Sequence, residues 1–296
     1  MNVPSPSPPS ALHGYLPVLS VVAGIAAFSA MDAAIKGASL AAGVFTALFL
    51  RNLFGTLLTV PLWLGAGRPL PGRAVLRVHV QRSAITAAMA ALFFYGLVRI
   101  PMAEGIALSF IAPIIALYFA AVMLGVTIRP QAIIASALGL VGVVIIGAGR
   151  FHAGGYSDEA IAGTVAILIS ALLYAVNLVI QRKQALLAGP VEIALFQNGI
   201  VALILGAFAP WLLTWPDAES LATITIGAAL ATCALLLLSW GYARAEAQVL
   251  VPIEYTGFLW AALFGWLLFG ERVDAATMAG TGLIVLGCWI ATRRAR

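Results

Sequence analysis

Apolar residues run through this chain in long unbroken blocks, separated by short stretches that hold charge, Gly or Pro. Each block is about twenty residues, the length a helix needs to cross the hydrocarbon of a bilayer. The apolar–polar alternation of a membrane β-strand is missing, and a helix satisfies its own backbone in lipid. Dividing the blocks at charges, Gly and Pro predicts ten spans, at approximately 12–36, 44–65, 79–99, 103–124, 131–149, 161–183, 190–214, 221–244, 248–269 and 274–292. The expected fold class is an all-α integral membrane protein. The connections are short and leave no room for a soluble domain. "MNVPSPSPPS" opens a Pro/Ser tail, expected to be disordered and cytoplasmic over residues 1–11. Its lack of Lys and Arg, with a long helix behind it, argues against a cleaved signal peptide.

The pattern occurs twice. With the chain shifted by 145 residues, "YGLVRIPMAEGIALSFIAPIIAL" from Tyr95 lies over "WGYARAEAQVLVPIEYTGFLWAAL" from Trp240. Gly96 meets Gly241, Arg99 meets Arg244, Gly125 meets Gly270 and Gly142 meets Gly287; with a one-residue slip Asn52 meets Asn198. Each half holds five spans, which divides the chain into a first repeat, 12–150, and a second, 151–296. Five is odd, so the second repeat enters the membrane in the opposite direction. Inverted repeats are a common architecture of alternating-access transporters, with the cargo site between the halves.

Composition agrees: 62% of residues are hydrophobic and 9% charged, where a soluble domain carries roughly a quarter. With the N-terminus inside, the inner segments hold eleven Lys and Arg and the outer segments four, namely Lys36, Arg99, Arg150 and Arg272. The positive-inside rule therefore predicts a multi-pass protein of a bacterial-type inner membrane with both termini cytoplasmic. The isoelectric point near 9.6 follows from that topology. The basic residues are spread over five short segments, so no nucleic-acid partner is expected. Cys233 and Cys288 lie in apolar runs and read as small buried hydrophobes.

Polar side chains within spans are costly and face protein or water. Ser29, Asp32 and Lys36 share one face of span one; Tyr174, Asn177 and Gln181 share one face of span six; the 145-residue shift superimposes the two sets. A shared cavity explains this, and so does interhelical hydrogen bonding that only holds the bundle together. In spans four and nine, Ser109 and Pro113 align with Glu254 and Phe258. Ser109 has a simple reading as a hydroxyl bonded back to its own helix, whereas Glu254 needs a partner or a wet cavity. Pro113 removes a helical hydrogen bond, and Pro252 stands next to Glu254, which makes both candidates for a gate or hinge. Tyr95, Tyr174, Trp240 and Tyr255 adjoin the repeated polar positions and are candidate cavity aromatics; Trp211 and Trp215 fit the interfacial belt. Arg51 is deep in span two, where a structural pair with Asp32 competes with Asp32 as a ligand or proton site. His79 and Arg82 begin span three, as interfacial anchors or an inner gate. The small residues of spans five and ten, such as Ser136, Gly139, Gly142 and Gly280, read as packing surfaces.

Enzyme motifs such as HExxH, GxSxG or a P-loop are absent, and the three histidines lie apart, so no enzyme, metal or cofactor is expected. Ten spans in two five-helix repeats, the "LFGER" between spans nine and ten, and the Gly-rich "MAGTGLIVLG" of span ten resemble the drug/metabolite transporter superfamily, EamA-type, over nearly the whole chain. The resemblance implies helices arranged around a central cavity lined by spans one, three, four, six, eight and nine. Glu271 of "LFGER" reads as a helix-turn cap or an ion-pair residue. Candidate substrate-binding residues are Ser29, Asp32, Tyr95, Ser109, Tyr174, Asn177, Trp240, Glu254 and Tyr255. The expected cargo is a small amphipathic metabolite, an amino acid including aromatic ones, exported by alternating access. Proton-coupled multidrug or other metabolite efflux is the alternative, with protons as the second partner and Asp32 and Glu254 as their carriers.

Overall fold

A computed structural model describes residues 11–67, 70–124, 130–152, 157–242, 244 and 253–292. The N-terminal tail up to residue 10 and Pro252 lie outside the described residues, as does the turn at Gly125. Among the described residues all regular structure is helical: α1 Ala11–Ala42, α2 Val44–Gly65, α3 Arg73–Leu97, α4 Met102–Ser109, α5 Ala112–Leu124, α6 Pro130–His152, α7 Asp158–Ala185, α8 Pro190–Gly206, α9 Ala209–Leu212, α10 Ala218–Tyr242, α11 Gly257–Phe269 and α12 Ala275–Thr292. Five of these (α1, α2, α3, α7 and α10) are long and apolar enough to cross a membrane. Shorter apolar stretches cover 102–116, 136–148, 190–206, 257–269 and 275–287.

Two boundaries differ from expectation for physical reasons. The first span does not stop at Lys36, because that side chain is 3% exposed and has protein partners; the helix runs on to Ala42. Gly43, at a φ of 84°, then lets α2 start at once. The fourth span is broken at Phe110 and Ile111. Pro113 stands in the first turn of α5, where its missing N–H is tolerated. The second repeat breaks at Tyr255 and Thr256, the positions 145 residues later, with Phe258 in place of proline.

The most extensive helix contacts join one repeat to the other: α1 with α10, α3 with α7, α6 with α12, and α2 with α8. Small residues permit the close crossings. A Cβ at Gly96 would fall 2.5 Å from the Gly163 carbonyl oxygen and from Ile167. One at Gly241 would fall 2.6 Å from Val21 and 3.0 Å from the Pro17 carbonyl oxygen. Gly142 and Gly280 face each other in the same way, at 2.6 and 2.5 Å from the opposing carbonyl oxygens. These contacts correct the repeat register. Gly96 and Gly241 differ by 145, but their partners Gly163 and Pro17, or Ile167 and Val21, differ by 146. Likewise Ser170 donates to the Met89 carbonyl where Gly24 lies against that of Ala234. The polar faces of α1 and α7 are thus turned by one residue, about 100°, from the alignment at 145. Asp32 is equivalent to Leu178, not Asn177.

The core shared by both repeats gathers Met31, Ile35, Leu48, Phe94, Met102 and Ile224. Large apolar side chains cover the outside, among them Leu64 and Leu203, with Trp211 and Trp215 both at 79% exposure. So much exposed apolar surface suits lipid and not water.

Overpacking a close crossing costs about 1–3 kcal/mol. Gly142→Val is therefore expected to lower the unfolding temperature in detergent, whereas Gly282→Ala, with nothing within 4 Å of the added carbon, is expected to leave it unchanged or raised. A second expectation concerns Asp217, which caps α10 by accepting from the Ser220 N–H at 2.8 Å. Its hydrogen bonds with Ser220 hold the carboxyl below the ordinary carboxylate range. The folded-state value lies below the unfolded one. The cap's contribution is therefore present above the ordinary value, about 3.9, and is lost as pH falls through the lowered one. The difference in unfolding temperature between the parent and Asp217→Ala should shrink as buffers are taken below about pH 4.

Candidate functional site

Side chains from α1, α2, α3 and α7 and from the segment before α11 form a chain of electrostatic interactions with charges of both signs. Asp32 lies on α1, Tyr174 on α7, and Glu254 three residues before α11 begins. The Tyr174 hydroxyl is within electrostatic reach of Glu254, Arg82 and Asp32, and Asp32 is within reach of Arg51 on α2. Ser29 is buried one turn before Asp32. Tyr255 is half-buried and meets Phe110 edge to face, with centroids 5.3 Å apart at 88°. Tyr255 and Phe110 are the equivalent residues of the two repeats, so each chain break packs against the other.

Not every expected residue joins this set. The Ser109 hydroxyl donates to the Gly105 carbonyl at 2.9 Å, within its own helix. Tyr95 and Trp240 are 40% and 39% exposed, while neighbouring Phe94 is buried in the core. Each ring lies under the arginine one turn later: Arg99 is 3.6 Å from the Tyr95 centroid and Arg244 is 4.3 Å from that of Trp240. Both guanidinium groups also donate to the carbonyl of the aromatic residue they cover, at 2.7 and 3.2 Å. The equivalent helix ends thus carry the same partly exposed aromatic–arginine pair.

Asn177 belongs to a second network. Arg82 donates through Nε to Asn177 Oδ1 at 3.0 Å, through Nη1 to Gln184 Oε1 at 2.5 Å, and through Nη2 to Gln181 Oε1 at 3.2 Å. Thr86 also donates to Asn177 Oδ1, at 3.3 Å. A guanidinium only donates, so the Gln184 oxygen must face it and the Gln184 amide nitrogen must face away. That nitrogen is 2.6 Å from His79 Nδ1, which therefore accepts, leaving the ring proton on Nε2 to donate to Glu192 Oε1 at 3.2 Å. Phe196 stacks on the imidazole at 4.9 Å. The network ties α3, α7 and α8 together. An interfacial anchor would be exposed, but His79 and Arg82 are buried, at 0% and 6%. Gln184, Glu192 and Thr86 were not foreseen from the sequence; nothing local in it links α8 to α3.

A third network lies where the loop after α11 reaches the start of α4. Lys36 Nζ forms an ion pair with Glu271 Oε1 and donates to the Ile100 carbonyl at 3.0 Å. The other Glu271 oxygen accepts from the Met102 N–H at 2.7 Å. Glu271 thus serves as a cap and an ion-pair residue at once, across 235 positions of chain from Lys36. The signs suit the helix ends: a cation after the C-terminus of α3 and an anion at the N-terminus of α4. Gly270, at a φ of 65°, turns the chain out of α11, and the Glu271 N–H returns to the Gly265 carbonyl. A Cβ at Gly265 would fall 2.7 Å from Glu271 Oε2, so only glycine leaves the carboxylate its place. Pro101, Glu104, Ala261, Gly265, Glu271 and Arg272 border a cavity of about 190 Å³ beside this cluster.

The chain belongs to the EamA-like transporter family, whose model matches it twice, over residues 16–148 and 161–293. It is a two-repeat membrane transporter. It is 30% identical over 281 residues to a pseudopaline exporter, CntI, of Pseudomonas aeruginosa, covering 92% of this chain and 94% of that one. It is 23% identical over 275 residues to a riboflavin transporter of Brucella anthropi, covering 90% and 94%. Against the aromatic amino acid exporter YddG of Ancylobacter novellus it is 25% identical over 209 residues, covering 69% and 71%. A solved crystal structure at 22% identity superimposes with a TM-score of 0.62, over 93% of this chain and 96% of the other, which shows the shared fold.

Removing one partner of a buried ion pair costs about 3–5 kcal/mol, because the other charge is left in place. Lys36→Met and Glu271→Gln are each expected to destabilise the protein by about that amount in detergent unfolding. The double variant Lys36→Met with Glu271→Leu should lose clearly less than the sum, since no charge remains stranded.

Proposed function

We propose that this protein exports small amphipathic metabolites, amino acids including aromatic ones, across a bacterial inner membrane by alternating access. Its ten spans form two inverted repeats with both termini in the cytoplasm. The observation that carries the reading is that Asp32 and Arg82 of the first repeat and Glu254 of the second all lie within electrostatic reach of the Tyr174 hydroxyl. An apolar wall bearing charges of both signs and an aromatic ring matches a zwitterion with an apolar side chain. Asp32, Tyr174, Glu254 and Tyr255 hold the cargo, with Ser29 beside them. The Arg82–His79 network closes the cytoplasmic end, and the Lys36–Glu271 pair holds the other end together. The named relatives, which include exporters of different molecules, support export but not one cargo.

A specific observation keeps proton-coupled efflux of drugs or other metabolites as the second reading: two carboxylates, Asp32 and Glu254, lie within electrostatic reach of the same Tyr174 hydroxyl. Carboxylates inside spans commonly mark proton relays. The deciding experiment is uptake of a labelled amino acid panel into proteoliposomes, with and without an imposed pH gradient. Uptake of aromatic amino acids without a gradient is expected, as facilitated diffusion requires. Absence of flux for every amino acid would sink the cargo assignment. Strict dependence on the gradient would favour the second reading, and Asp32→Asn and Glu254→Gln would then identify the carrier.

A further inference from the structure

Among the described residues, three basic side chains lie within the helical interior, and the protein coordinates two of them. Lys36 has a carboxylate and a carbonyl oxygen. Arg82 has three amide oxygens. Arg51, on α2, differs. Its Nε is buried without a hydrogen-bond partner. Asp32 is the opposite charge that acts on it, yet among the described residues no ion pair within 4 Å joins the two. The adjacent Asn52 donates its amide to the Leu48 carbonyl of its own helix at 2.7 Å, so it accounts for none of the guanidinium's needs. A guanidinium in low dielectric calls for acceptors on its N–H groups, as the amide oxygens around Arg82 supply; at Arg51 the buried Nε has none and the nearby carboxylate stays at a distance.

We propose that Arg51 is a cargo-binding residue that receives the carboxylate of the transported molecule. The inference rests on the amino acid reading above and narrows it to cargo bearing a free carboxylate. A guanidinium presents a planar fork of N–H donors that matches a carboxylate, and the charge-assisted pair is the strong kind of hydrogen bond. Asp32 is within electrostatic reach of both this cation and Tyr174. A zwitterion placed there sets its carboxylate on Arg51 and its ammonium between Asp32 and Glu254, with its side chain toward Tyr174 and Tyr255. Bound cargo completes the coordination that Asp32 leaves open. Helix α2 is outside the set of spans that the family resemblance puts around the cavity, so this role adds a wall to the site.

The test uses the full-length protein in proteoliposomes, with labelled phenylalanine as cargo and unlabelled phenylalanine, phenylalaninamide and 2-phenylethylamine as competitors. The parent protein should discriminate against both compounds that lack the carboxylate. In Arg51→Gln the apparent KM for phenylalanine should rise at least about tenfold, the loss expected for one charge-assisted hydrogen-bonded contact. Its competition by 2-phenylethylamine should stay near the parent value, so that discrimination disappears. Arg51→Lys keeps the charge without the fork and should lose part of the discrimination; it covers the case in which the Gln variant does not fold. Retained discrimination in either folded variant would overturn the inference, and so would loss of folding in both, which would make Arg51 a scaffold partner of Asp32. Failure of the parent to carry any amino acid would instead sink the cargo reading on which the inference stands.

Discussion

A charge inside a bilayer has no water to return to, and the placement of helices in this protein follows from how each such charge is met. Lys36 is the clearest case. It stands deep in the long, mainly apolar α1, and Glu271 reaches it from the far end of the chain while also capping α4. One carboxylate therefore fixes three things: the continuation of α1 to Ala42, the turn from α3 into α4, and the exit from α11. The requirement then extends to backbone conformation. Gly265 must lack a side chain so that Glu271 can fit, and Gly270 must take the left-handed conformation so that Glu271 is delivered at all.

Arg82 meets the same requirement differently. Its partners are neutral amides, and the only carboxylate in the network, Glu192, is reached through Gln184 and the imidazole of His79. Such a chain orients every member, because the all-donor guanidinium dictates which way the glutamine amide points and hence which histidine nitrogen holds the proton. A cluster held this way is rigid but carries little direct Coulomb attraction. It can separate without tearing a tight ion pair, which suits the end of a transporter that must open. The Lys36–Glu271 end is held by a direct pair and suits a fixed hinge.

The five longest apolar helices, α1, α2, α3, α7 and α10, were legible in the sequence because hydrophobic length is a property of single segments. Twenty apolar residues look the same wherever the helix packs. The repeat was legible too, since Gly96 and Gly241 serve equivalent crossings. The polar sites were read less well, and the reasons are particular. Lys36 looked like a span end because charge usually is one, and only a residue 235 positions away makes it an interior residue. The match of Ser29, Asp32 and Lys36 to Tyr174, Asn177 and Gln181 was off by one residue because a shift that suits α3 and α10 need not suit α1 and α7. A single residue is invisible among Ala and Leu, yet it turns a helix face by about 100°. Tyr95 and Trp240 were read from their neighbours in the sequence, and the reading did not include the stacking of Arg99 and Arg244 on their rings one helical turn away.

The broken helices show why a local signal and its cause should be kept apart. Pro113 is the local signal for the break at Phe110 and Ile111, since its ring removes the N–H that would have reached Ser109 and disfavours a continuous helix. The second repeat has no proline there. Phe258 keeps its N–H and donates to Tyr255 only three residues back, at 3.2 Å, as in a tighter turn. In the first repeat Phe110 and Ile111 likewise donate to Ala107 and Leu108, three residues back. Two unlike sequences thus reach the same interruption at equivalent places. What they share is tertiary: Phe110 and Tyr255 meet edge to face across the seam between the repeats. That contact joins the two breaks, and the proline lowers the cost of one of them.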